Sequence, residues 1–218
     1  MQRGRFLRAL WCTVSIFSSF TNALAEDAGE ATRSRAIEIQ KTEDGPARET
    51  DAREAMCLMI EAAAKASHLP LEFFARVIWQ ESRFRSEAIG PVTRSGQRAQ
   101  GIAQFMPGTA SERGLLDPFN PVQALPKSAE FLAELRDQFG NLGLAAAAYN
   151  AGPRRVQEWL AGTGPMPQET RSYVLAITGS TVEDWASAQK GGRTPERIPA
   201  SSCRELMALL RQAPNPFV

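Results

Sequence analysis

The sequence predicts a mainly α-helical fold with at most a very small β or loop element. Apolar residues recur at steps of three and four through most of the chain after residue 52. Asn, Pro and Gly punctuate those runs where helix caps belong. The alternation of a half-buried strand is absent except around residues 88–104. With 43% hydrophobic and 22% charged residues among 218, the composition suits one ordinary core plus extensions.

Arg3, Arg5 and Arg8 precede a mostly apolar stretch at 9–20, which closes on Ala23-Leu24-Ala25. Basic, then apolar, then small is the order of a secretory signal peptide, and residues 1–25 are read as one; an amphipathic helix would leave that order unexplained. Nothing in the chain reaches the roughly 20 apolar residues of a membrane span. Residues 26–52 mix charges of both signs with Thr, Ser, Gly and Pro46 and nearly lose large apolar side chains, which predicts a flexible tether. A domain over 53–190 and a C-terminal segment over 191–218 follow.

The first domain helix is expected at 52–67, with Met56, Met59, Ile60 and Ala63 on one face and Pro70 discouraging continuation. His68, just past its end, reads as a cap or surface residue. A second helix at 71–84 places Phe74, Val77, Ile78 and Glu81 on one stripe. Asn120 and Pro121 form a cap and first-turn pair; Pro126 interrupts the pattern, and Ala129, Leu132, Ala133, Leu135 and Phe139 continue a helix to Gly140. Asn141 starts a compact apolar helix at 142–150, closed by Ala151-Gly152. Pro153 opens another that buries Val156, Trp159 and Leu160 and ends at Gly162. Residues 168–178 repeat the scheme with Tyr173, Val174 and Ile177 before Gly179. After a Gly/Pro-rich stretch, Leu206, Leu209 and Leu210 mark a terminal helix near Cys203 and dock the last segment on the domain.

The same composition narrows the chemistry. The only His is His68, and Cys12, Cys57 and Cys203 never approach a C-x-x-C spacing, so no metal site and no cofactor are expected and nucleophilic schemes built on an imidazole are poorly served. Carboxylates remain as the reactive groups. Without the three Arg of residues 1–25, the 25 basic residues fall to 22 against 24 acidic ones, which gives no support to nucleic-acid binding. Cys57 and Cys203 are then an even count in a chain bound for an oxidising compartment, and a disulfide between them is expected, two buried free thiols being the alternative.

Spacing alone leaves two roles open for Glu81. On an apolar stripe near a helix C-terminus, burial and the helix dipole both disfavour its charged form, which suits a general acid. At the edge of that stripe it would instead pair with Arg85 at i+4.

Four ordered motifs add context: Glu81-Ser82-Arg83-Phe84, Gly101-Ile102-Ala103-Gln104-Phe105-Met106-Pro107, Ala148-Tyr149-Asn150-Ala151-Gly152, and Pro167-Gln168-Glu169-Thr170 ahead of Tyr173-Val174. Over about residues 56–178 the chain resembles the soluble lytic transglycosylase catalytic domain, a lysozyme-like fold related to goose-type lysozyme. The resemblance implies non-hydrolytic cleavage of the β-1,4 bond between N-acetylmuramic acid and N-acetylglucosamine in peptidoglycan, leaving 1,6-anhydro ends. It implies that Glu81 is the single catalytic acid and that Gln104, Met106, Tyr149 and Asn150 line the substrate groove, with Glu169 as a second acidic position lending hydrogen-bonding support. Tyr149 suits a sugar contact and the amides of Gln104 and Asn150 suit acetamido groups or the orientation of Glu81. Tyr149 as core, Asn150 as a helix end and Glu169 as a first-turn acid stay open beside these roles. Trp79 and Trp159 read as packing residues.

Two departures from the family pattern stand out. Ala103 replaces the bulky residue before Gln104, which would widen a subsite. The stretch between Arg85 and Gly101 is several residues longer than usual, and 83–98 carries four Arg against one Glu, either simply solvated or facing substrate carboxylates. A hydrolytic muramidase and an inactive peptidoglycan-binding module are the alternatives to a transglycosylase. The expected place of action is the periplasm or outside the cell, the partner is the glycan strand, and no stable membrane span is expected. The sequence names no partner in the envelope or a secretion apparatus.

Overall fold

The computed structural model describes residues 50–189, 191 and 203–212. The segment read as a signal peptide, residues 1–25, and nearly all of the expected tether lie outside the described residues. Nine helices are described: α1 at 50–66, α2 Leu71–Ser82, α3 Pro107–Glu112, α4 Pro121–Phe139, α5 Leu142–Ala151, α6 Pro153–Leu160, α7 Gln168–Thr178, α8 Val182–Gln189 and α9 Cys203–Gln212. Extended pairing among the described residues is confined to two isolated bridges, Ile89 with Gln100 and Gln100 with Phe105, inside the stretch where alternation was expected.

Helix α5 is the centre. Leu144 and Ala145 to Ala148 are fully buried, and α4, α6, α7 and α8 all pack on it. A helix that is apolar on every side has no solvent face to keep, and its run of alanines lets four neighbours come close. Gly143 serves the same end: a Cβ there would lie 2.0 Å from Cγ of Trp185 on α8. Helix α2 is held from two sides, by α7 and by α9. Its buried Phe74, Val77 and Ile78 are each worth about 1.5–3 kcal/mol of burial, which outweighs any end effect in fixing its place.

The expected caps form. Asn120 Oδ1 accepts from Val122 N at 3.0 Å and Asn141 Oδ1 from Leu144 N at 2.9 Å, while Gly140 and Gly179 end α4 and α7 in the left-handed region. Exposed His68 takes φ 51° just after α1, in keeping with a cap. Four differences have local causes. Helix α2 stops at Ser82, two residues early, because Arg83 and Phe84 both turn left-handed. Helix α4 runs through Pro126; the carbonyl its missing N–H would have bonded is that of Val122, 66% exposed and open to water. In α9 Cys203, Leu206, Met207 and Leu210 are buried, and Leu209 faces out. Helix α8 was not expected, although Thr181 and Asp184 cap its start reciprocally, at 3.1 Å and 3.2 Å, over buried Val182 and Trp185.

Cys57 and Cys203 form a disulfide between α1 and α9, with Cα atoms 5.6 Å apart. The bridge ties α1 to α9, and α9 in turn packs on α2, the helix that carries Glu81.

Candidate active site

Glu81 sits in the last turn of α2, one turn beyond the buried Val77 and Ile78, so the helical period that builds the core also aims this carboxyl inward. Its side chain keeps a partly exposed surface. Tyr173, on α7 and 4% exposed, donates its hydroxyl to Glu81 Oε1 at 2.5 Å. Burial pushes the Glu81 carboxyl up to about 7; the Tyr173 hydrogen bond pulls the other way, and the like charge of Glu169 adds to the rise. Arg85 does not take the carboxylate: its Nε donates to the Ser82 carbonyl at 3.1 Å, which removes the ion-pair alternative read from spacing. A carboxyl poised at this value can give up a proton near neutrality and take one back.

Tyr149, at the end of α5, is coupled to the same carboxyl: burial first, then the Glu81 charge, hold its phenol well above the usual range. Its hydroxyl donates to the Ala103 carbonyl at 2.8 Å and lies 2.9 Å from Ser128 Oγ. A phenol has one hydrogen, and Ala103 O can only accept, so Ser128 must be the donor in the second bond. Tyr149 therefore offers substrate an acceptor lone pair and no proton while these bonds stand, a narrower role than the free hydroxyl expected. Phe131 and Phe105 pack against its ring at centroid distances of 5.4 Å and 6.3 Å.

Hydrogen bonding also sorts the two amides. Gln104 Nε2 donates to the carbonyls of Ala88 at 3.1 Å and Gly101 at 2.8 Å, leaving Oε1 as an acceptor. Asn150 Oδ1 accepts from Thr170 at 2.8 Å, leaving its NH2 as a donor. Gln104 thus keeps an acceptor and Asn150 a donor, each of a kind that one end of an acetamido group can use. Gln104 itself holds φ 48°, one of three non-glycine residues in the left-handed region between 83 and 105, a local cost that a positioned group repays. The loop closes on Gly101, where a Cβ would fall 1.7 Å from Pro118 O, so no other residue fits there.

The structure thus brings Glu81, Tyr149 and Tyr173 together, places Glu169 near enough for its charge to act on Glu81, and ties Gln104 in through Ala103. Asn150 faces α7 through Thr170. Met106 caps the start of α3, half-buried, and joins the set through chain continuity with Gln104. Ala103 is fully buried, so its small side chain fills interior space and does not widen a groove. The group that sequence reasoning missed is Tyr173. Its period marked it as core, and only its position four residues after Glu169, on the same face of α7, hinted that its hydroxyl could reach the site. Trp79 and Trp159 are half-buried at the edge of the core, in keeping with packing roles. Among the described residues no three His, Cys, Asp or Glu side chains converge as a metal site, and no helix is long and apolar enough to cross a membrane.

Residues 58–171 match the family model described as the transglycosylase SLT domain. The chain is 30% identical over 122 residues to a transglycosylase of Enterobacteria phage PRD1, covering 56% of this chain and 44% of that protein. It is 32% identical over 134 residues to the soluble lytic murein transglycosylase of Escherichia coli K12, covering 50% of this chain and 20% of that one. The chain therefore spans less than half the length of these relatives. Among solved structures it is similar to the 70 kDa soluble lytic transglycosylase of Escherichia coli, with 26% identity, TM-score 0.47 and coverage of 62% of this chain and 24% of that one. It is likewise similar to an inactive mutant of the lytic transglycosylase Slt from Pseudomonas aeruginosa, with 29% identity, TM-score 0.46 and coverage of 63% and 25%.

Proposed function

The chain belongs to the transglycosylase SLT domain family, and from that membership and the setting of Glu81 we propose that it is a peptidoglycan lytic transglycosylase with a lysozyme-like catalytic domain over 53–190. The observation that carries the proposal is a single carboxyl, buried enough to keep its proton near neutrality and fixed by Tyr173 at 2.5 Å.

In the proposed reaction Glu81 gives its proton to the oxygen of the N-acetylmuramic acid to N-acetylglucosamine bond as the anomeric C–O bond breaks. The neighbouring 2-acetamido group stabilises positive charge at the anomeric carbon. The muramoyl 6-hydroxyl then attacks that carbon, its proton passes to the Glu81 carboxylate, and a 1,6-anhydro ring results without water. One carboxyl serves as acid and then base, so the second acid that two-carboxylate glycosidases require is dispensable. Gln104 and Asn150 read an acetamido group as acceptor and donor, Met106 and the ring of Tyr149 line the groove, and Glu169 acts through its charge on Glu81. Acid–base help of this kind supplies about 100- to 10,000-fold, so positioning of the glycan provides the rest.

The substrate places the enzyme outside the cytoplasm, in the periplasm or secreted, which accords with the basic, apolar and small order of residues 1–25. Digestion of purified sacculi followed by mass spectrometry of the fragments tests the reading. Anhydro ends from the wild type, lost with Glu81→Gln, are expected; reducing ends would make the enzyme a hydrolytic muramidase, and fragments undiminished by Glu81→Gln would remove Glu81 from the chemistry.

A further inference from the structure

The lengthened stretch after α2 folds into a small hairpin. Ile89 bridges Gln100, Gly90 N donates to Ala99 O at 2.9 Å, and Thr93 N donates to Gln97 O at 2.8 Å. The tip turns on Gly96 at φ 78°, and Thr93 Oγ1 closes it with a second bond to Gln97 O at 2.8 Å. Its base is fastened to the site: Gln104 donates to Ala88 O, and Gly90 lies so near Gln104 Oε1 that a Cβ would be 2.9 Å away. The hairpin thus begins beside Gln104 and is closed along its length by its own backbone hydrogen bonds.

What the hairpin displays is unlike the rest of the site. Ile89 and Val92 are 58% and 56% exposed, two branched apolar side chains left in water on one short hairpin. Arg94 and Arg98 are exposed as well. Between Glu87 and Glu112 the sequence has no acidic residue, so the hairpin itself carries no charge opposite to those of Arg94 and Arg98. The other two arginines of the segment are engaged at its root, Arg85 on the Ser82 carbonyl and Arg83 over the Trp79 ring at 4.6 Å. Arg98 makes only a long 3.5 Å approach to Gly90 O, which leaves its charge to the solvent side.

We propose, on the reading that this chain cleaves peptidoglycan, that the hairpin is a specificity element for the peptide stems of the glycan, with Arg94 and Arg98 taking stem carboxylates and Ile89 and Val92 taking alanine methyl groups. The glycan backbone itself offers neutral hydroxyls and acetamides, which suit Gln104 and Asn150, and carries neither a free carboxylate nor an amino-acid side chain. A stem peptide carries both missing features, free carboxylates and small apolar side chains. In intact peptidoglycan the lactyl carboxyl is tied up as the amide that starts the stem, so the carboxylates available to the hairpin are those of the peptide. A preformed hairpin meets them at little ordering cost.

Binding, read apart from turnover, tests this. The full chain carrying Glu81→Gln is titrated in solution with uncross-linked glycan strands that keep their stems and with the same strands stripped by an amidase, which frees the lactyl carboxylates. Adding Arg94→Gln and Arg98→Gln is expected to lower the intact-to-stripped affinity ratio by about three- to ten-fold, as two solvent-exposed charge pairs would, and Arg94→Lys with Arg98→Lys to restore most of it. Added salt should erase the same share in the parent. A ratio that the Gln pair leaves unmoved, or that rises because stripped glycan loses more, overturns the proposal. A chain that shows the expected ratio but yields no anhydro ends with Glu81 intact would overturn the activity and leave the stem contact standing.

Discussion

Helix α2 and the segment that follows it place their functional groups by different physics. Glu81 is carried on a helix whose address is set by apolar packing: Val77 and Ile78 are fully buried, and the facing α7 contributes Tyr173 and Val174 at 4% and 0% exposure. Gln104 is carried on a loop whose address is set by backbone hydrogen bonds, left-handed residues and one glycine with no room for a methyl group. Packing is spread over many contacts and degrades by increments, whereas a hydrogen-bonded loop depends on a few atoms and fails at once. The same candidate site is therefore robust on one side and brittle on the other.

The widest gap between the two sides should appear with the smallest side-chain changes. Gly101→Ala sets a methyl group 1.7 Å from Pro118 O at φ 74°, and is expected to cost about 3–5 kcal/mol in a denaturant titration, combining overpacking with backbone strain. Ile78→Val, in the packed half, should cost about 0.5–1.5 kcal/mol. Equal losses would erase the distinction.

The disulfide probes the packed side at longer range. The joint change Cys57→Ser and Cys203→Ser releases a constraint spanning a sequence separation of 146 and is expected to lower stability by about 2–4 kcal/mol. Since α7 and the core still hold α2, turnover per folded molecule should survive below the new melting point. Loss of turnover without loss of stability would mean that α9, and not the core, positions Glu81.

Smaller still are the shifts in the pH profile. In the proposed reaction Glu81 works protonated, so the rate should fall as pH climbs through about 7. Tyr173 lowers this value by its hydrogen bond, so Tyr173→Phe should move the alkaline limb to higher pH while lowering the rate through lost orientation. Glu169 raises it by like charge, so Glu169→Gln should move the limb to lower pH. Limbs that move together, or the opposite way, would dismiss these neighbours as the tuning groups.

The contrast also explains what could be read from the sequence. Wherever apolar packing decides, the period is visible: α2, α5 and α7 were expected within a few residues of where they lie, α5 and α7 with their Asn141 and Gly179 caps, and Glu81 was placed on its stripe with its role left open until the motifs were compared. The disulfide followed from counting cysteines. Pro126 misled because a helix near its start can lose one hydrogen bond to water without breaking. Tyr173 was hidden because one side chain is both core and site, its ring obeying the period and its hydroxyl reaching Glu81 across 92 positions. The orientation of Gln104 and the commitment of the Tyr149 hydroxyl to Ala103 rest on contacts that no periodicity encodes, and the alternation at 88–104 marked the place of the hairpin without its shape. Only the resemblance of motifs drew attention to that half of the site, and it did not say which atom each amide would present.

The central claim is that the Glu81 carboxyl holds its proton close to neutrality because the fold buries it. Carbon-13 NMR of side-chain carboxyls across a pH titration, with Glu81→Gln used to assign the resonance by its disappearance, measures this directly. A midpoint at about 7 is predicted. A midpoint near the ordinary value of 4.5 would contradict the account, since Glu81 would then be an ionised surface group with no proton to give.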